Sequence, residues 1–200
     1  MTRLLVQISS EPLTIDFPSI VSMTEQQFYE FCLANRSLRI ERTAKGEVII
    51  MPPAFSDTGN RNFNLAAQLW KWTEQDGTGL GFDSSSGFTL PNGAIRSPDV
   101  AWIKLTRWNQ LTDKQKASFA PICPDFVIEL RSSSDTLSSL QKKMDEYITN
   151  GTRLAWLIDR QNHQVYVYRP HQDPEILDNP LTVSADPELV GFELTMAKIW

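Results

Sequence analysis

Residues 125–159 read DFVIELRSSSDTLSSLQKKMDEYITNGTRLAWLID, and this stretch decides the fold. Two short apolar runs, DFVIEL and RLAWLID, flank a segment whose apolar residues recur at helical spacing. The pattern predicts strand, helix and strand, with the helix over 135–150, capped by Asp135 and ended by Gly151. Strands joined by a crossover helix lie parallel in one sheet, and helices on both faces explain why both strands are apolar throughout. The stretch therefore predicts an α/β protein.

The rest of the chain predicts further elements around this unit. Thr24 and Gln27 form a capping box for a first helix, and a second helix is expected from Asp57 to Gln75, with Gly77 as its stop. Its predicted apolar face is Phe63, Ala66, Ala67 and Trp70. Further strands are expected in LRIERT, GEVIIMPP, GLGFDSS, GFTLPNG, SPDVAWI and QVYVYRP, and a helical patch in TDKQKASFA.

These elements predict a single α/β domain over residues 1–200, a mixed β-sheet flanked by helices. It carries an extended N-terminal arm over 1–22 and a C-terminal extension over 171–200 that ends with a short strand. No apolar run has the length of a membrane span, and the N-terminus lacks the pattern of a signal peptide. We therefore expect a cytoplasmic protein with no membrane partner.

The net charge of −5 argues against a strong, nonspecific nucleic-acid binder, whose affinity comes mostly from basic residues. It does not exclude a nuclease, because acidic metal ligands lower the net charge and a local basic groove can still form.

Two apolar strands each carry one acid: Asp99 in SPDVAWI and Glu129 in PDFVIELRS. A carboxylate in an apolar strand is costly to bury without compensation. Two such carboxylates on neighbouring strands, with a lysine nearby, predict a site for a hard divalent cation such as Mg²⁺. Strand alternation places Arg131 on the side of Glu129, so a Glu129–Arg131 surface pair on an edge strand is the alternative.

Lys143 is the lysine that helical spacing places nearest these acids. It falls at the edge of the apolar stripe, one turn before Tyr147, whereas Lys142 falls almost opposite and is expected in solvent. The alternative for Lys143 is a flank lysine whose stem covers apolar surface. Glu41 is either a third acid or a surface strand residue. Residues 60–62, Asn-Arg-Asn, open the second helix, where free N–H groups could bind phosphate, or they are simply solvated.

At these residues the chain resembles the Uma-two family, a large bacterial family of restriction-endonuclease-like proteins that was formerly a domain of unknown function. The likeness covers LRIERTAKGEVIIMPP, TGNRN, GFTLPNGAIRSPDVAWI, CPDFVIELRS, KMDEY and LVGFEL. That family is similar to the PD-(D/E)xK nuclease superfamily. The resemblance implies a restriction-endonuclease-like mixed sheet flanked by helices, and Mg²⁺-dependent hydrolysis of phosphodiester bonds.

The resemblance also implies roles for individual residues. Asp99 is expected to be the first metal-binding acid, Glu129 the second, and the Leu130 carbonyl a third ligand. The superfamily pattern has lysine two residues after the glutamate, where this chain has Arg131, and arginine stays protonated and cannot act as a base.

In the family that lysine is shifted onto the following helix. This implies a catalytic role for Lys143, which would orient the attacking water or stabilise the developing charge. Tyr147 is expected to have a secondary role. Arg131 is expected at the rim of the site, in contact with phosphate.

The sequence is therefore interpreted as a bacterial endonuclease that uses Mg²⁺ or Mn²⁺ and acts on nucleic acid, with DNA favoured over RNA. A homodimer is expected, since many nucleases of this type cut two strands. Two alternatives remain open. One is a non-catalytic nucleic-acid-binding or regulatory module that keeps the nuclease fold, and the other is a protein-interaction module that uses its acidic surface.

Overall fold

The computed structural model describes residues 13–15 and 23–200, so most of the expected arm over 1–22 lies outside the described residues. The described chain forms thirteen strands: β1 (Leu13–Ile15), β2 (Arg39–Arg42), β3 (Val48–Met51), β4 (Gly79–Asp83), β5 (Phe88–Thr89), β6 (Ile95–Arg96), β7 (Val100–Lys104), β8 (Phe126–Leu130), β9 (Leu154–Asp159), β10 (Gln164–Tyr168), β11 (Glu175–Asp178), β12 (Thr182–Ser184) and β13 (Glu193–Thr195). Its helices are α1 (Glu25–Ala34), α2 (Ser56–Asp76), α3 (Leu105–Trp108), α4 (Asp113–Lys116) and α5 (Leu137–Thr149), followed by a 3₁₀ turn at Met196–Lys198.

The strands form two larger sheets and a hairpin. The five-stranded sheet has the order β1-β3-β2-β6-β5, the six-stranded sheet has the order β11-β10-β9-β8-β7-β4, and β12 pairs with β13. In the six-stranded sheet β8 and β9 are parallel, as predicted, while β7 pairs antiparallel with β8. The predicted mixed α/β fold is thus confirmed.

Helices α2 and α5 cover opposite faces of the six-stranded sheet. Leu65 and Leu69 of α2 pack in one buried cluster with Phe126 and Ile128 of β8. Met144 of α5 packs in a second cluster on the other face, with alternate strand residues such as Val127 and Leu157. Full burial of such a side chain contributes about 1.5–3 kcal/mol relative to exposure. This packing explains why both strands of the parallel pair are apolar throughout.

Helix α5 begins at Leu137, one residue later than a cap at Asp135 would require. Its N-cap is Thr136, whose side chain accepts a hydrogen bond from the Ser139 N–H. Asp135 instead accepts hydrogen bonds from the backbone N–H and hydroxyl of Ser132. The carboxylate therefore stabilises the turn between β8 and α5, and the prediction that Asp135 caps the helix is wrong. At the other end Gly151 has a φ of 110°, which favours glycine and ends the helix as predicted.

The buried face of α2 differs from the predicted one. Phe63 and Trp70 are 71% and 63% exposed, whereas Leu65 and Leu69 are at most 1% exposed. Both sets recur at helical spacing, so periodicity alone did not distinguish them. The buried face of α2 is determined by the elements it packs against. These are the six-stranded sheet and the segment around β12 and β13, which belongs to the same apolar cluster.

Residues 97–99, Ser-Pro-Asp, connect the two larger sheets. They lead from β6 of the five-stranded sheet directly into β7 of the six-stranded sheet. Ser97 and Asp99 are both buried. The side chains described next gather at this connection. None of the helices in the described residues is both long enough and apolar enough to span a membrane.

Candidate active site

Asp99 and Glu129 come together because their strands are neighbours. In the antiparallel register Val100 lies opposite Ile128, so one further step places Asp99 opposite Glu129. Directly opposite residues have their Cβ atoms about 4.5–5.5 Å apart on the same face. The exposed fractions are only 6% for Asp99 and 4% for Glu129, so both acids need compensation from neighbouring groups.

Asp99 is held by three donors from different elements. Its Oδ2 accepts a hydrogen bond of 2.9 Å from the Leu130 backbone N–H. Its Oδ1 accepts bonds from Arg39 Nη1 at 3.2 Å and Asn62 Nδ2 at 3.1 Å. The adjacent N–H of Arg131 bonds to β9, so the backbone groups of Leu130 point the opposite way, to the Asp99 side. The Leu130 carbonyl therefore lies at the same edge as this carboxylate.

Glu129 uses one oxygen for its contacts with α5. Its Oε1 accepts a hydrogen bond of 3.0 Å from the Tyr147 hydroxyl and lies 2.7 Å from Lys143 Nζ. Among the described residues, no hydrogen bond reaches Oε2. Burial raises the pKa of Glu129 to about 7, against the opposing charge of Lys143 and with the support of the charges of Asp99 and Glu41. Negative charge at Glu129 is thus only partly compensated.

Lys143 points into the acidic cluster, as helical phasing predicted, and Lys142 is exposed. The Lys143 ammonium lies 2.9 Å from Glu41 Oε1 and 2.7 Å from Glu129 Oε1. Burial lowers the pKa of Lys143, but the two carboxylates outweigh this effect and raise it above its usual value. The ammonium therefore stays protonated and acts as a hydrogen-bond donor. The alternative of a flank lysine in solvent is wrong.

Glu41 is a buried member of the cluster, 2% exposed, and the alternative of a surface strand residue is wrong. It accepts hydrogen bonds from Arg96 Nη1 at 3.1 Å and from the Ser97 N–H at 3.0 Å, besides its contact with Lys143. Burial raises the pKa of Glu41, but Lys143 and Arg96 outweigh it and hold the pKa at about 2. Glu41 is therefore an ionised carboxylate with its charge compensated.

Arg131 does not pair with Glu129. Its Nη1 lies 2.9 Å from Asp159 Oδ2, and its Nε donates to the Asp135 carbonyl at 3.3 Å. Arg131 follows the last residue of β8, where the chain turns toward α5, and the guanidinium reaches across to β9. The alternative of a Glu129–Arg131 pair is wrong, and this placement gives no support to Arg131 as a phosphate contact at the rim of the carboxylate cluster.

The Asn-Arg-Asn run at 60–62 does not open its helix. Helix α2 begins at Ser56, so these residues lie in its second turn and their N–H groups are within the helix. The expectation that their N–H groups bind phosphate is therefore wrong. The side chain of Asn62 contributes instead, through its bond to Asp99. Arg61 donates to the backbone carbonyls of Ile199 and Trp200, which ties α2 to the last residues of the chain.

Sequence reasoning missed three members of the cluster: Arg39, Asn62 and Arg96. A signal for Arg39 was present in LRIERT, because strand alternation places Arg39 and Glu41 on the face opposite Ile40. Ile40 does pack with α1 in a separate apolar cluster. Nothing in the local sequence of the other two residues indicates their partners, which lie 37 positions away for Asn62 and 55 for Arg96.

The donors at this site fit a hard divalent cation that takes few ligands from protein. Within residues 13–15 and 23–200, no group of three or more His, Cys, Asp and Glu side chains could hold a metal ion. The oxygen set is instead the two carboxylates of Asp99 and Glu129 with the Leu130 carbonyl. Asn62 Oδ1 is buried without a hydrogen-bond partner in the described chain. Such an atom calls for a further partner at the site.

Comparison with known proteins gives a family and a structural neighbour for the chain. Residues 25–197 match the Uma2 family, described as "Putative restriction endonuclease". The chain belongs to the Uma2 family. It is similar to a solved structure titled as "a putative nuclease belonging to DUF820 from Anabaena variabilis ATCC 29413", with 20% identity, a TM-score of 0.68, and 80% of this chain and 88% of that chain covered. No curated protein matches the chain.

Membership of the Uma2 family confirms the resemblance stated from the sequence motifs. The structural likeness, at 20% identity, shows a shared fold. The roles of individual residues and the place in the PD-(D/E)xK superfamily stay predictions.

Proposed function

We propose that this Uma2 protein is a metal-dependent endonuclease that hydrolyses phosphodiester bonds of nucleic acid, with DNA as the preferred substrate. The observation that carries the proposal is the contact between Lys143 and Glu129, whose neighbour in the strand register is Asp99. Two buried acids beside a buried lysine form the arrangement that phosphodiester hydrolysis with a divalent cation needs. Membership of the family supports the reaction class.

Asp99 and Glu129 would hold Mg²⁺ or Mn²⁺, with the Leu130 carbonyl as a third ligand. The bound ion would supply Lewis-acid activation of water and neutralise charge on the phosphate. The partly compensated charge of Glu129 supports this assignment, because a cation relieves the repulsion among neighbouring carboxylates.

The protein's own contribution comes mainly from Lys143. An ammonium has three N–H donors, and two of them face Glu41 and Glu129. Among the described residues Lys143 contacts no other carboxylate, which leaves a donor for the attacking water or for a phosphate oxygen that gains charge in the transition state. A donor fixed in advance at such a position is worth about 10²–10³-fold in rate. Tyr147 supports the arrangement by donating its hydroxyl hydrogen to Glu129.

The homodimer suggested by the resemblance stays a prediction, as do a cytoplasmic location and the absence of a membrane partner. A cleavage experiment distinguishes the proposed nuclease from one of the open alternatives, a nucleic-acid-binding module without catalysis.

The experiment is a cleavage assay on plasmid DNA and on RNA, with Mg²⁺ or Mn²⁺ and with EDTA. We expect nicking that EDTA stops, and a loss of at least about 10³-fold in Glu129→Ala. Glu193→Ala is the matched control, because Glu193 is exposed on β13 and is expected to leave the rate unchanged. Cleavage that persists in Glu129→Ala would contradict the proposal. Binding without cleavage would favour the non-catalytic module.

A further inference from the structure

Glu41 contacts the same lysine as Glu129 but belongs to a different sheet. Glu41 lies on β2 of the five-stranded sheet, and Glu129 lies on β8 of the six-stranded sheet. Both carboxylates are within 2.9 Å of Lys143 Nζ. A carboxylate that is only 2% exposed is stable only when neighbouring groups compensate its charge, so the cations around Glu41 determine its role.

A chain of ion pairs fixes Glu41 and returns to the helix that carries Lys143. Arg96 Nη1 donates to Glu41 Oε2 at 3.1 Å, and Arg96 Nε donates to Glu146 Oε2 at 2.6 Å. Glu146 lies three residues after Lys143 on α5, so the two side chains are neighbours on the helix surface. These four side chains therefore form a closed network. Lys143 contacts Glu41, Glu41 contacts Arg96, Arg96 contacts Glu146, and one turn of α5 connects Glu146 to Lys143.

Both oxygens of Glu41 already have hydrogen-bond or ion-pair partners. Its Oε1 contacts Lys143 and accepts from the Ser97 N–H, and its Oε2 accepts from Arg96. Glu129 differs, since its Oε2 accepts no hydrogen bond from the described residues. The contacts of their oxygens thus separate Glu41 from Glu129, the acid with which it shares Lys143.

We propose that Glu41 is a positioning residue, which holds the Lys143 ammonium in one orientation against Glu129 and directs its third N–H at the substrate phosphate or the attacking water. Lysine carries its charge on a flexible stem with rotatable donors, so one carboxylate partner leaves the ammonium free to turn. A hydrogen bond to Glu41 and an ion pair with Glu129, two residues on different strands, together restrict this rotation and limit the directions open to the remaining N–H groups. The catalytic part of this inference rests on the proposed nuclease function, whereas the contact between Glu41 and Lys143 does not.

The first test is independent of catalysis. The intact protein is treated with formaldehyde and a borohydride reductant, and the methylation of each lysine is followed by mass spectrometry. We expect Lys143 to react more slowly than its exposed neighbour Lys142. In Glu41→Gln the rate at Lys143 rises severalfold while Lys142 is unchanged. An unchanged rate at Lys143 in a folded Glu41→Gln protein overturns the inference.

The second test separates kcat from KM. We expect Glu41→Gln to lower kcat about 10–10²-fold with little change in KM, because a misplaced group of this kind affects the reaction step more than binding. Glu41→Asp should restore part of kcat, since it keeps the charge. A Glu41→Gln protein with wild-type kcat overturns the inference.

A third variant covers the case in which Glu41→Gln does not fold. Glu146 is less buried than Glu41, with 17% of its side chain exposed. Glu146→Gln loosens Arg96 and should raise the reactivity of Lys143 in the same direction by a smaller amount, and unchanged reactivity overturns the inference. If the wild-type protein cleaves no substrate, the proposed function fails, while the methylation rates still decide whether Glu41 holds Lys143.

Discussion

Glu41 and Glu129 are both almost fully buried and both contact Lys143, yet their charges are balanced in opposite ways. Around Glu41, Lys143 and Arg96 outweigh the effect of burial, and the pKa is about 2. Around Glu129, burial and the charge of Asp99 outweigh Lys143, and the pKa is about 7. The negative charge of Glu41 is compensated by its neighbouring cations, whereas that of Glu129 is only partly compensated.

The difference lies in what each sheet contributes. The five-stranded sheet supplies a cation for Glu41, because Arg96 is on β6 and Glu41 on the adjacent β2. The six-stranded sheet brings a second acid to Glu129, because Asp99, immediately before β7, lies opposite Glu129 when the register is extended by one residue. A buried acid with a matching cation contributes to structure, whereas buried acids placed side by side mark a site built for a ligand.

Loss of the cation that the two glutamates share should have a large effect on catalysis. Lys143→Ala removes a fixed donor and is expected to lower the cleavage rate about 10²-fold or more. Lys142→Ala is the matched control: the same residue type on the same helix turn, but exposed, and expected to have almost no effect. Single-turnover cleavage rates check both variants. A larger loss in Lys142→Ala would show that the role assigned to Lys143 is wrong.

The next effect separates the two glutamates as ligands. Mg²⁺ at a hundred times its Kd stabilises a protein by about 2.7 kcal/mol, which for a chain of this size is a rise in Tm of about 5–10 °C. We expect this rise in the wild type and in Glu41→Gln, but not in Glu129→Gln. Differential scanning calorimetry with and without Mg²⁺ measures it. Loss of the rise in Glu41→Gln, with retention in Glu129→Gln, would reverse the assignment.

The smallest effect is the acid sensitivity that Glu41 confers. Its folded pKa of about 2 lies below the ordinary value of 4.5, so its ionised form stabilises the fold above pH 4.5. That contribution is lost as the pH falls from 4.5 toward 2. Wild-type protein should therefore lose more stability than Glu41→Gln over this window, because the glutamine side chain does not titrate. Urea unfolding at several pH values measures it, and equal losses would contradict the prediction.

The parallel unit and the orientation of Lys143 could be predicted because their signals are local. Apolar runs and a helical stripe in residues 125–159 define two strands and a helix, and helical phasing separates Lys143 from Lys142. The capping box of Thr24 and Gln27 is likewise present as predicted. In these places the chemistry of a short segment determines its conformation, and distant contacts agree with it.

The face of α2 and the direction of Arg131 could not be predicted in this way. Phe63 and Trp70 fit a helical stripe as well as Leu65 and Leu69 do, and only the sheet and the segment around β12 and β13 choose between them. Arg131 shares the strand parity of Glu129, but its partner Asp159 lies on a different strand. Tertiary contacts override local pattern at both positions.

The cations of the cluster show the same limit. Arg39 and Arg96 are ordinary strand arginines in the sequence, and their importance comes from Asp99 and Glu41 being buried beside them. The sequence could identify the acids, since a carboxylate in an apolar run is unusual. Apart from Lys143, it could not identify which basic residues compensate them.

The connection between the two sheets has a consequence for the folding pathway. Lys143 and Glu41 are 102 positions apart in the chain, and contacts at such separation form slowly, after local structure is in place. Helix α5 and the β2–β3 hairpin consist of local contacts, but the ammonium meets both carboxylates only when the two sheets dock. Partly folded chains therefore lack the complete cluster, and the activity proposed for it would appear only in the last stage of the protein's maturation.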